Sequence, residues 1–287
     1  MTSQDLPPEI GAYLASLTEL TPSNDVAAVM EAAFAARSAQ TMQLPPTGNE
    51  ADAFARAIAD VHDTITLISA DDWGRPSVNG LSVGELVGHL IGTQLSMAAE
   101  LGVGSKTSAS DDHIESTRAA IEAGAALTPD DAAAEFNRVS AILTDHLLQF
   151  DELELVAQSR FGAITAELRF LLVVRVFELW THDNDLRDAV GLDRVEPDAD
   201  RLWMMTRSVM PVVERIGGDR LRIVLTGAGG GVCPASRDEI AEIVLDATAF
   251  CRRVANRVSL ADLDADVSGD VTAASELLNE LAILALD

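Results

Sequence analysis

The chain has 287 residues, 48% of them hydrophobic but only 4% aromatic, enough for a sizeable core of Ala, Leu, Val and Ile. Its 20 Lys and Arg against 46 Asp and Glu give a formal net charge of −26, which argues against nucleic acid or an anionic membrane surface as partner. The only cysteines, Cys233 and Cys251, lack a Cys-x-x-Cys spacing, and residues 1–20 lack the basic and apolar regions of a signal peptide, so free thiols in a soluble, cytoplasmic protein are expected.

Residues 1–48 read as a separate N-terminal helical extension, helix-like over 25–39 and closed by the breaker Pro45-Pro46-Thr47-Gly48. A first bundle helix is expected over 49–69, where Phe54, Ile58, Val61, Ile65 and Ile68 recur at helical spacing. Ser82 with Glu85 three residues on is a capping box that opens a second helix over 83–101. Thr128-Pro129-Asp130-Asp131 opens a third, to about residue 150, carrying Phe136, Val139, Ile142, Leu143 and Leu147. The stretch 163–189 reads as one long fourth helix ended by Gly191, a residue suited to the left-handed position after a helix. Four such helices predict a four-helix bundle over 49–192. Beyond 192 the texture changes. A helix over 198–216, strands at 221–225 and 240–245, and helices over 248–256 and 271–286 predict a smaller α+β domain over 193–287.

Glu178, His182 and Asp185 stand at i, i+4 and i+7 in the fourth helix, so their side chains share one face. Glutamate and histidine are metal-ligand types, and His89 in the apolar second helix offers a third. Each has a plainer alternative. Glu178 and His182 could be a surface pair, His89 a hydrogen-bonded core histidine, and Arg175 could occupy the Glu178 carboxylate. Asp185 fits as the acceptor that orients a ligand imidazole, or as a surface carboxylate. His62, His113 and His146 stay outside the set: His62 and His146 adjoin acidic residues, and His113 lies in what reads as a polar loop. Gly227-Ala-Gly-Gly-Gly231 lacks a phosphate-loop lysine and reads as a hairpin turn. Serine or cysteine nucleophile motifs are absent.

Trp73…Pro76-Ser77…Gly80-Leu81-Ser82-Val83-x-Glu85-Leu86-Val87-x-His89-Leu90 and Arg175-x-x-Glu178-Leu179-x-x-His182-x-x-Asp185-Leu186…Gly191 resemble the two signatures of the mycothiol-dependent maleylpyruvate isomerase family. Asp246-Ala247…Val254-Ala255-Asn256-Arg257…Gly269-Asp270 is similar to the pattern of its C-terminal domain, so the resemblance spans about residues 50–287. It implies a mainly α fold, a DinB-like four-helix bundle followed by a smaller α+β domain. It also implies a divalent metal, usually zinc, held by His89, Glu178 and His182, with mycothiol as thiol cofactor and Arg257 assisting catalysis. Leu81 stands where an aromatic is usual, Asn256 replaces a common glycine, and residues 1–48 have no counterpart. The expected activity is a metal-dependent thiol enzyme, an S-transferase or isomerase acting on a small electrophilic metabolite. The alternative is a non-catalytic DinB-like binding or regulatory protein.

Overall fold

The computed structural model describes residues 48–103, 113–161, 164–235 and 237–284. The expected extension, including the helix-like stretch 25–39, therefore lies outside the described residues except for its last position.

Among the described residues six α-helices, one of them a single turn, build the N-terminal part. Helix α1 (Glu50–Leu67) starts at a capping box in which Asn49 and Asp52 satisfy each other's backbone N–H groups. Helix α2 (Val83–Glu100) starts at the Ser82–Glu85 box. Helix α3 (His113–Ala126) packs on α2, and helix α4 (Pro129–Leu147) is capped by Thr128 with Pro129 in its first turn. A single turn, α5 (Glu152–Leu155), leads into an antiparallel hairpin of β1 (Gln158–Phe161) and β2 (Ile164–Glu167). Helix α6 (Leu168–Val190) follows and ends at Gly191, whose φ of 78° requires the freedom of glycine. Helices α1, α2, α4 and α6 pack around a core that includes Phe54, Leu86, Leu90, Phe136, Leu143, Leu172 and Leu179. Among the described residues no helix is long and apolar enough to cross a membrane.

Two expectations need correction here. The fourth helix begins at Leu168, because Ile164–Glu167 pairs with Gln158–Phe161 as a hairpin; the β-branched Ile164 and Thr165 suit the pleat. His113 opens a helix instead of lying in a loop. That helix is rich in alanine and carries little apolar periodicity. It is held to α2 by close backbone approach: a Cβ on Gly88 would sit 2.3 Å from the Ala120 carbonyl oxygen, and one on Gly124 2.5 Å from that of Gly84.

Helix α7 (Ala199–Arg215) links the bundle to a four-stranded sheet of order β4-β3-β5-β6. Strands β3 (Leu221–Thr226) and β5 (Ala241–Asp246) run parallel, while β4 (Gly231–Cys233) and β6 (Ala265–Gly269) pair antiparallel at the edges. Helices α8 (Ala247–Val254) and α9 (Val271–Glu280) pack against this sheet, capped by Asp246 and Asp270. The edge strands were not anticipated; both are short, and Ala265–Gly269 is polar and half exposed. The expected 271–286 helix ends at Glu280, with a 3-10 turn at Leu281–Leu284.

The connecting segment 191–198 is stitched to α6. Trp180 Nε1 and Asn184 Nδ2 donate to the Val195 carbonyl, and Val195 N–H donates back to Asn184 Oδ1. Arg201 bridges Asp198 and Asp60, and Arg56 also reaches Asp198, so the start of α7 is pinned to α1.

Candidate metal centre

His89 lies two turns into α2, and Glu178 and His182 face it from α6. The pairings His89 with Glu178 and Thr93 with Arg175 fix the two helices as antiparallel neighbours. One ligand-type atom each from His89, Glu178 and His182 lie within 4.8 Å of one another, and among the described residues this is the one such group of three. His89 Nε2 is 3.3 Å from Glu178 Oε1, and the two imidazole rings meet edge to face at 5.4 Å between centroids. Both histidine side chains are nearly buried, 6% and 4% exposed, and Glu178 is 15% exposed.

Each imidazole is held at Nδ1 by an oxygen. His89 Nδ1 is 3.3 Å from Thr117 Oγ1, which comes from α3. His182 Nδ1 is 2.9 Å from Asp185 Oδ2, one helical turn on. The other partner of Asp185 is Arg257, whose Nε and Nη2 donate to the two carboxylate oxygens, each at 2.8 Å. Burial pushes the Asp185 carboxyl up, but its hydrogen bonds and attraction to His182 and Arg257 outweigh this and hold it below the usual carboxylate range. Arg175 donates to Glu178 Oε2 and Thr93 Oγ1. The pairing read as a competitor for Glu178 therefore forms, but on one oxygen of the carboxylate.

Arg257 sits just past α8, at the end of a tight turn. Its Nη1 donates to the Ala255 carbonyl, and Asn256 between them adopts a φ of 56°. Asparagine tolerates that left-handed backbone better than most residues, which explains physically how it can stand in for glycine here. A cleft between α6 and the C-terminal part is lined by Trp180, Asn184, Asp185, Arg194, Arg252 and Arg257. Arg194 is paired with Asp188 and Arg252 with Glu196 at its rim.

Both cysteines lie outside this site. Cys251 is buried, and burial pushes its thiol far up; burial also raises Cys233, although Arg207 donates to its sulfur. Neither is an activated nucleophile. His62, beside Asp63, and His146, edge to face with Phe150, stay outside the cluster. Thr93 and Thr117 were missed, and a threonine within an apolar or alanine-rich helix carries no signal of its partner across the bundle.

Residues 54–187 match the family model described as the mycothiol maleylpyruvate isomerase N-terminal domain. The bundle is thus similar in sequence to that N-terminal domain. The fold superposes on a crystal structure of the mycothiol-dependent maleylpyruvate isomerase with a TM-score of 0.54 at 19% identity, covering 78% of this chain and 94% of the other. A crystal structure of a histidine-to-alanine mutant of that isomerase gives 0.55 at 17% identity with the same coverage. At such identity the likeness is one of fold, bundle and C-terminal region together. No curated protein matches the sequence.

Proposed function

We propose that this chain is a metal-dependent thiol enzyme, an S-transferase that joins mycothiol through its sulfur to a small electrophilic metabolite, or an isomerase of such a metabolite that works by reversible addition of the thiol. The observation that carries this reading is the convergence of His89, Glu178 and His182 in the bundle, with Asp185, the partner of His182, lining the cleft beside the C-terminal region. The donor set fits zinc. Two ligands of a tetrahedral zinc with bonds of about 2.0–2.2 Å lie roughly 3.3–3.6 Å apart, the length of the His89–Glu178 edge. Two imidazoles and a carboxylate leave one position open, as in catalytic zinc sites.

His89 and His182 would ligate through Nε2, since Nδ1 of each is engaged by Thr117 and Asp185. When bound, the metal supplies acidity, turning a coordinated thiol into a nucleophile near neutral pH without a protein base. Arg257 lines the cleft and would steady anionic charge on the acceptor while Asp185 holds it in place. We place the domain boundary at 192/193, with 49–192 as metal-binding bundle and 193–287 as the α+β domain. The four-stranded sheet draws all its strands from the second part, which supports that division.

Elemental analysis should find one divalent metal per wild-type chain and little in His182→Ala, because two remaining ligands rarely hold zinc. Turnover of an electrophile should require added mycothiol. Stoichiometric metal in the His182→Ala variant would refute the ligand set, and metal binding with no thiol-dependent turnover would favour a binding module.

A further inference from the structure

Arg175 is wholly buried in the bundle. A guanidinium removed from water is costly unless its donors are matched. Three elements fix it. Nη1 donates to Glu178 on its own helix, Nη2 donates to Thr93 Oγ1 of α2 at 2.7 Å, and Cζ lies 5.2 Å above the centroid of the Phe161 ring from β1. The Thr93 hydroxyl is itself oriented, because it donates to the Leu90 carbonyl at 2.9 Å and so turns its lone pairs toward the guanidinium. The geometry also divides the two oxygens of Glu178: Oε2 receives Arg175, while Oε1 lies 3.3 Å from His89 Nε2.

We infer that Arg175 is a positioning residue that makes Glu178 a one-oxygen metal ligand, an inference that rests on the metal reading above. Holding Oε2 keeps the carboxylate from swinging round to chelate through both oxygens, which would take up a position that a thiol needs. The guanidinium also offsets the carboxylate's charge. With two neutral imidazoles the protein's contribution then sums to about zero, and a divalent ion keeps its full power to acidify what it binds. Thr93 serves the same end from the opposite helix.

The test uses Co(II), whose visible absorption weakens as coordination number rises, on the full-length protein. Arg175→Lys keeps a charge but loses the planar fork that bridges Glu178 and Thr93. Thr93→Val removes the acceptor at nearly constant shape, and so serves if the buried lysine variant fails to fold. Each variant should bind Co(II) about 10- to 100-fold more weakly in chelator competition, as for other groups that orient ligands. Each should also show weaker visible bands while its far-UV circular dichroism stays like that of the wild type. Wild-type affinity and band intensity in the folded variants would overturn the inference. A wild-type protein that binds no Co(II) would instead sink the metal reading on which it stands.

Discussion

Asp185 has two duties. One carboxylate accepts from the His182 imidazole and from both prongs of Arg257, so the two partners feel each other through it. Asp185→Asn should weaken metal affinity by about 10- to 100-fold without unfolding the protein. Arg257→Lys should cause a smaller loss that disappears in the Asp185→Asn background, because the arginine would act on the metal ligand only through that carboxylate. Additive losses in a chelator-competition double-mutant cycle would show that Arg257 reaches the metal by another route. Its neighbour Asp183 behaves in the opposite sense. Burial between α1 and α6 pushes its carboxyl up to about 6 against an ordinary 3.8, despite Thr64 and Arg187. Below about pH 4 it is protonated whether the chain is folded or not, so it costs nothing. As pH rises toward 6 the unfolded chain ionises and the folded one resists, and stability falls, by roughly 3 kcal/mol at 1.36 kcal/mol per pH unit. In chelator, urea unfolding of the wild type should show this decline between about pH 4 and 6, and Asp183→Asn should remove it; equal slopes for the two proteins would refute the assignment.

The close contact of α2 and α3 sets a limit on substitution at element scale. Gly88→Ala would ordinarily favour a helix by about 1 kcal/mol. Here the added methyl meets the Ala120 carbonyl and the backbone of Gly124 and Ile121, rigid neighbours that must move. A net destabilisation of about 1–3 kcal/mol is expected, read as a lower urea midpoint; a stabilised variant would mean that α3 does not pack there. That contact also shows what periodicity could and could not reveal. Helices α1, α2 and α4 were legible because each has an apolar stripe and a side-chain cap, and the strands at 221–225 and 240–245 because they are short apolar runs. Helix α3 was not, since glycine and alanine pack by backbone proximity and leave no stripe. The start of α6 was misplaced because Ile164–Glu167 continues an apolar texture that suits either state, and the Phe161 ring it brings back over Arg175 settles the matter only in three dimensions.

At the scale of the whole molecule, the ligand types of the site were legible because Glu178 and His182 sit one turn apart in an apolar stretch where charges need partners. His89 was placed as a candidate by its residue type and by the family resemblance. Its approach to Glu178 depends on α2 and α6 being antiparallel neighbours, which single-helix patterns do not encode. The seam between bundle and C-terminal region was less legible still: Arg56, Asp60, Asp198 and Arg201 are widely spaced charges that become one network only in the fold. Asp185 lies on that seam too, and this gives it a thermodynamic consequence. On the proposed metal reading, a carboxylate that steadies a ligand imidazole and also anchors the second region would make ion binding and docking a single linked equilibrium. Coupling between binding events is reciprocal, so whatever free energy docking lends the ion, the ion must return to docking. Zinc should therefore slow proteolysis within 191–198 in the wild type, and this protection should be lost in Asp185→Asn even at zinc concentrations that saturate it. If both proteins were protected alike, the two halves would be joined by the linker and the outer ion pairs alone, each free to keep its own counsel about the metal.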